Sequence, residues 1–247
     1  MSESEHTPDA PRQPVFVTTR WSVVLAAQDK SSPDSAAALE TLCRAYWYPL
    51  YAYVRGSGRS PHDAQDTTQE FFARLLAQDW LHVVLPEKGR FRTFLLVTMK
   101  RFLTNEWHRD RAQKRGAGNL PLSLDSEEAE HRFATEPPLA PDELYERRWA
   151  MTLLEESLER LQRDFTDAGR EQEFNALKEW LTAERGSIPY AQIAAALDTT
   201  EGAARVAVHR MRKQFRLSFR QTIAETVEAD GDVDAELRHL VAVLSRA

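Results

Sequence analysis

Residues 190–213 read Tyr190-Ala191-Gln192-Ile193-Ala194-Ala195-Ala196-Leu197, then Asp198-Thr199-Thr200, then Glu201-Gly202-Ala203-Ala204-Arg205-Val206-Ala207-Val208-His209-Arg210-Met211-Arg212-Lys213. The spacing predicts a short helix, a tight turn and a second helix. Ile193 and Leu197 fall on one face of the first helix. Asp198, Thr199 and Thr200 suit turn and cap positions better than a helix interior. Glu201 follows in the first turn, where a carboxylate complements the helix dipole. In the second helix Ala204, Val208, Met211 and Phe215 form an apolar stripe. Arg205, His209, Arg210, Arg212, Lys213 and Arg216 fill the opposite arc. A short helix, a turn and a basic second helix is the plan by which a recognition helix enters the DNA major groove. The same pattern also suits a solvated basic helix on an ordinary bundle.

Outward from this stretch the chain reads as all-α. Glycine is sparse, with 9 residues in 247, alternating strand patterns are scarce, and helical periodicity recurs. The formal charge of −6 excludes a uniformly basic coat but not local basic patches. No apolar run approaches the roughly 20 residues of a membrane span. Residues 1–17 are polar and proline-bearing and are expected to be a disordered lead, not a signal peptide. The single cysteine, Cys43, excludes an intrachain disulfide and a multi-cysteine zinc site. Among Leu39, Leu42 and Tyr46 it reads as a buried, inert thiol. These features place the chain in the cytoplasm.

Further helices are expected from Trp21, with Val24 and Leu25 inward and Thr18 or Thr19 capping, and from Leu39 to Val54, broken at Gly56. Ser60-Pro61-His62-Asp63 is a strong helix start. The helix that follows buries Ala64, Thr67, Phe71 and Leu75. It exposes a polar, largely acidic arc of Asp63, Asp66, Gln69, Glu70 and Arg74, either simply solvated or a docking surface. After an irregular stretch from Trp80 to Arg92, one helix is expected from Phe91 through Arg115. It interleaves Phe91, Leu95, Phe102 and Trp107 with Arg92, Lys100, Arg101, Arg109, Arg111, Lys114 and Arg115. Basic side chains track phosphates and rings can stack on unpaired bases; singly, each ring also suits a core. Residues 116–142, proline-rich and acidic, read as a mostly irregular linker. Helices follow around Trp149–Leu161 and Phe174–Leu181. Past the basic helix, Phe219, Ile223 and Val227 continue its apolar stripe. A last amphipathic helix carries Val233, Leu237, Leu240, Val241 and Leu244.

No catalytic or metal-binding constellation emerges. His108-Arg109-Asp110 spells a kinase tripeptide but falls inside a helix, without a glycine-rich loop or Asp-Phe-Gly. His62, His82, His108, His131, His209 and His239 lack ligand spacing. The chain is read as neither an enzyme nor a cofactor or metal protein.

Four stretches resemble bacterial RNA polymerase sigma factors of the extracytoplasmic-function (ECF) type. Asp63-Ala64-Gln65-Asp66-Thr67-Thr68-Gln69-Glu70-Phe71-Phe72 resembles the family's Asp-Ala-Glu-Asp-x-x-Gln-Glu-x-Phe helix. Phe91-Arg92-Thr93-Phe94-Leu95 resembles the Phe-Arg-x-Trp-Leu start of its promoter-melting helix, with Phe94 in place of Trp. Pro189–Ala194 and Glu201–Arg212 resemble its helix-turn-helix, with Asp198 where glycine is usual and Ala203-Ala204 for Thr-Val. The resemblance implies a region-two-like domain over residues 18–115, a flexible acidic linker over 116–142, and a region-four-like helix-turn-helix domain over 143–221. Residues 222–247 would form a C-terminal extension that completes the second domain's core or serves as an autoinhibitory or docking element.

By the same resemblance, Asp63, Asp66, Gln69 and Glu70 would face the clamp helices of core RNA polymerase. Arg92, Lys100, Arg101, Asn105, Trp107 and Arg109 would face the promoter −10 element, with the Trp80–Arg92 segment capturing a flipped base. Arg205, His209, Arg210, Arg212 and Lys213 would read the −35 element. The helices around Trp149–Leu181 would meet the polymerase flap, and an anti-sigma factor is a further candidate partner. The competing reading is a free-standing helix-turn-helix transcriptional regulator with a helical ligand-binding or dimerisation domain.

Overall fold

The computed structural model describes residues 21–29, 31–78, 80–85, 89–110, 126–227 and 232–246. These form ten α-helices with short 3-10 turns and, among the described residues, no strand. In chain order the helices are α1 (Trp21–Gln28), α2 (Ser35–Gly56), α3 (Pro61–Ala77), α4 (Phe91–Asp110), α5 (Ser126–Ala134), α6 (Pro141–Asp167), α7 (Glu171–Leu177), α8 (Tyr190–Ala196), α9 (Glu201–Ala224) and α10 (Asp232–Leu244). Thr18, Thr19, the lead and the stretch from Arg111 to Asp125 lie outside the described residues.

The apolar stripes sort into two clusters. The first gathers Tyr46, Leu50 and Tyr51 of α2, Phe71 of α3, Leu95 and Met99 of α4, Trp149 and Leu153 of α6, Ile223 of α9 and Leu240 of α10. The second gathers Leu161 and Phe165 of α6, Phe174 and Leu177 of α7, Ile193 of α8, and Ala204, Val208 and Met211 of α9. Helix α6 serves both. Its 27 residues span about 40 Å at 1.5 Å per residue, so its first half packs on α2 and its last turns seat the α8–α9 pair. Helix α9 is shared likewise: its first half closes the second cluster, and Phe219 and Ile223 join the first.

Several local expectations differ from the structure. Leu25 of α1 faces solvent and Val24 is the buried residue. Thr68, not Thr67, is the buried threonine of α3; its hydroxyl donates to the Ala64 carbonyl at 2.7 Å, which lets a polar residue sit inside the helix face. Val241 of α10 is exposed, and Val243 takes the inward position. The stretch expected to be mostly irregular linker contains α5. This helix is held on α2 by Glu130, which accepts from the Tyr51 hydroxyl and from Arg55 Nε at 2.6 Å. Just beyond it, Glu136 accepts from the Tyr48 hydroxyl at 3.2 Å and pairs with Arg148 of α6.

Candidate nucleic-acid and polymerase interfaces

Helix α3 begins as its sequence dictates. Ser60, in extended backbone, caps it by accepting from the Asp63 amide at 3.1 Å, and its hydroxyl donates to the Asp63 carboxylate at 2.7 Å. This sets which residues point outward. Asp63 and Asp66 are exposed; Gln69 and Glu70 are half-buried on the same side. His62 Nδ1 lies 3.7 Å from the Asp66 carboxylate, and Glu70 pairs with Arg74 one turn on. The four residues singled out for polymerase contact therefore share one outward row of α3.

Between α3, the 3-10 turn Trp80–Val83 and α4 lies an open cleft of about 620 Å³. Its apolar walls are Trp80, Val83, Phe94 and Phe102. Its polar groups are Arg74, Gln78, Thr98, Arg101 and Asn105. The guanidinium of Arg74 lies over the Phe102 ring, 5.0 Å from its centroid. Gln28 of α1 fixes the turn by donating from Nε2 to the carbonyls of Leu81 and Val84, both at 2.8 Å. A cleft with aromatic walls, amide groups able to meet a base edge and guanidinium groups able to meet phosphate has the chemistry to hold an unstacked nucleobase. The sequence reading assigned Arg101, Asn105 and the segment that begins at Trp80 to promoter DNA but missed Gln78, Phe94 and Thr98. The i, i+4 pair Phe94 and Thr98, in register with Arg101 and Asn105, was the available signal.

The other residues assigned to the −10 element divide. Lys100 is partly exposed on the flank of α4 and pairs with Asp142 at the start of α6, 2.6 Å away. That hydrogen bond, with the Asp142 charge, raises the Lys100 pKa. The backbone of α4 runs through Trp107 and Arg109, but their side chains lie outside the described set. Arg92 requires a correction: it does not face outward. It is buried against Glu146 of α6, Nε to Oε2 3.0 Å, and Glu236 of α10. Burial alone would lower its pKa; the two carboxylates outweigh this and raise it. The Tyr145 hydroxyl donates to its carbonyl at 2.9 Å.

At the other end of the molecule, α8 and α9 form the short-helix, turn, long-helix unit. Leu197 closes α8, and Asp198 takes a left-handed backbone (φ 48°). Aspartate tolerates this region better than most residues, so it does the work glycine does elsewhere. Thr200 caps α9, its hydroxyl accepting from the Ala203 amide at 3.2 Å. Ala204, Val208 and Met211 are buried as their stripe requires, which turns Arg205, Val206, His209, Arg210 and Lys213 to solvent. The Arg205 guanidinium rests on the Tyr190 ring, 4.5 Å from the centroid. Arg212 is the second correction. It turns inward and donates from Nε (3.0 Å) and Nη2 (2.6 Å) to the Trp180 carbonyl, and also to that of Ala183, tying α9 to the segment before α8.

Among the described residues no helix is long and apolar enough to cross a membrane, and no group of His, Cys, Asp or Glu could hold a metal ion.

Residues 42–113, from within α2 to just past α4, match the family model described as Sigma-70 region 2. No curated protein and no solved structure matches the chain. The match covers α3, the cleft and α4, and it supports a sigma factor role in RNA polymerase binding and promoter recognition. That family is a non-enzymatic class of transcription initiation factor.

Proposed function

We propose that the chain is a sigma factor of the ECF type, with α10 as a C-terminal extension, which directs core RNA polymerase to a specific set of promoters in the cytoplasm. The outward row of α3, Asp63, Asp66, Gln69 and Glu70, meets the clamp helices of the polymerase largest subunit. Lys100, Arg101 and Asn105, with Trp107 and Arg109 further along α4, meet the −10 element. The cleft holds a base flipped from the non-template strand. Unstacking costs a few kcal/mol, which stacking on the aromatic walls offsets. Arg205, His209, Arg210 and Lys213 meet the −35 element, while α6 and α7 approach the polymerase flap. An anti-sigma factor is a further partner to be sought.

The observation that carries this reading is the coincidence of the cleft with the matched segment. A simple repressor has no use for an aromatic-walled cleft between an acidic docking helix and a basic one.

The test is in vitro transcription with purified core polymerase on sheared genomic DNA of the source organism, with and without the protein, mapping transcript starts. Discrete new starts sharing two spaced upstream motifs are expected. Failure to bind core polymerase would transfer the assignment to a free-standing helix-turn-helix regulator.

A further inference from the structure

The outward face of α9 is not uniformly basic. Near its start it carries Gly202, Ala203 and Val206, all exposed, and Val206 keeps 47 % of its surface in solvent. Val206 lies one helical turn past Gly202 and Ala203, so the three share one patch of the helix surface. Arg205 borders the patch, resting on the Tyr190 ring, and Arg210 follows Val206 one turn on. The stripe that closes the second cluster, Ala204, Val208 and Met211, does not include these residues. Nor does the fold call for glycine at position 202. A Cβ added there would meet only Thr200 Oγ1, at 3.9 Å, and glycine is a poorer helix former than alanine. The patch is bare of hydrogen-bonding side chains on the face that Arg205, His209, Arg210 and Lys213 turn to solvent.

The first turns of a recognition helix are the part that meets base edges in the major groove. Each base pair shows hydrogen-bonding atoms there, and thymine adds one apolar group, its C5-methyl. A patch with no side-chain donor or acceptor gains by covering that methyl. Set over cytosine or guanine, it covers hydrogen-bonding atoms, returns no bond and finds no methyl, which lowers affinity. Valine suits the contact. Its branched Cβ holds one rotamer in a helix, so its methyl groups are already placed when DNA arrives.

We propose that Val206 is a specificity-determining residue that reads thymine in duplex DNA through the C5-methyl group, with Arg205 and Arg210 flanking the contact. For the identity of that duplex, the −35 element, this rests on the sigma factor reading. Affinity at this position then depends on a methyl group and not on a hydrogen bond.

The experiment selects duplexes from a randomised pool with the full chain, alone and bound to core RNA polymerase. Each thymine of the selected motif is then replaced in turn by uracil, which pairs identically and lacks only the methyl group, and affinity is read by fluorescence anisotropy. One replacement is expected to weaken wild-type binding about fourfold, the worth of one buried methyl group at about 0.8 kcal/mol and 1.4 kcal/mol per factor of ten. Val206→Ser, at an exposed site, is expected to keep the wild-type urea midpoint and to bind the thymine and uracil duplexes equally. A wild-type protein indifferent to every replacement overturns the proposal. So does a folded Val206→Ser protein that still loses about fourfold at the same position, and so does a chain that selects no duplex in either state. Methyl-dependent selection by a chain that does not bind core polymerase would instead overturn the sigma factor reading and leave Val206 in its role.

Discussion

The ring of Tyr46 on α2 lies flat against that of Trp149 on α6, centroids 4.9 Å apart and planes 9° from parallel. Phe91 meets Tyr46 edge-on at 5.4 Å, so the start of α4 leans on the same stack. Helix α6 then runs on to place Leu161 and Phe165 in the second cluster. Trp149→Ala is expected to cost about 3–5 kcal/mol, the usual range for emptying a buried aromatic site. Because α6 carries both clusters, the loss is expected in one transition at lower urea. Unfolding followed by circular dichroism and by fluorescence checks this; two separated transitions would contradict the shared role of α6.

Arg92 and Arg101, nine residues apart on one helix, should respond oppositely. Arg92→Met leaves Glu236 and Glu146 short of a buried cation, and removing one partner of a buried pair costs about 3–5 kcal/mol. Arg101 is exposed at the cleft rim, where substitutions typically change stability by less than about 0.5 kcal/mol. Arg101→Met should therefore keep the wild-type urea midpoint and lose open-complex formation, measured by permanganate reactivity of unpaired thymines. A destabilised Arg101→Met with intact melting would remove the cleft from the mechanism.

These two arginines mark where the sequence was legible and where it was not. Helix periodicity placed the inward faces of α2, α3 and α9, because apolar spacing carries burial directly. It also placed Ser60 as a cap and gave Thr200 as one of three turn or cap residues. What it missed were charges standing on inward faces. Arg92 lies in register with Leu95, Met99 and Phe102, and Glu236 with Val233 and Leu240. Each alone reads as an interrupted stripe, and only the fold shows that they meet. Arg212 was grouped by charge with its outward neighbours, although the carbonyls it serves, 29 and 32 residues upstream, have no sequence signature. The docking of α5 was hidden for the same reason: an acidic, proline-flanked stretch looks like a solvated linker until Tyr51 and Arg55 are seen beside it.

The outward and inward cations of α9 separate by salt. Each phosphate neutralised contributes about 0.9 to the slope of log affinity against log salt. Arg210→Ala and Lys213→Ala should each lower that slope by about 1 on −35 DNA. Arg212→Ala should leave the slope unchanged while lowering the melting temperature, since it leaves the carbonyls of Trp180 and Ala183 without their donor. Fluorescence anisotropy over a salt series reads the first effect and calorimetry the second. A slope change with Arg212→Ala would mean that its side chain swings outward on DNA.

Cys43 is expected to be silent toward thiol reagents. Burial first, and the nearby Glu40 charge second, push its thiol up to about 12, so almost no thiolate exists near neutral pH. Reaction with Ellman's reagent should be negligible in the native protein and stoichiometric in guanidinium. Since folding holds the thiol protonated, this group should weaken the fold as pH rises beyond the ordinary thiol range. Rapid native labelling would show that the α2 face opens locally.

The docking of α5 should depend on acid. The hydrogen bond from Arg55, partly opposed by burial and reinforced by Tyr51, holds the Glu130 carboxyl below its ordinary value. Burial, then the bond to Glu130, pushes the Tyr51 hydroxyl up, so it remains a donor throughout. A carboxyl depressed in the folded state contributes stability that is fully present above its unfolded value and is lost as pH falls through the folded one. Helix α5 should therefore keep its amide protection at neutral pH and lose it below the ordinary carboxylate range, before the core transition. Glu130→Gln, which cannot form the charged pair, should remove the pH dependence and show weak protection of residues 126–134 at every pH. Hydrogen exchange followed by mass spectrometry across that range checks both. Protection that survives acid unchanged would mean that α5 is held by Ala129, buried in the first cluster, and not by its charge.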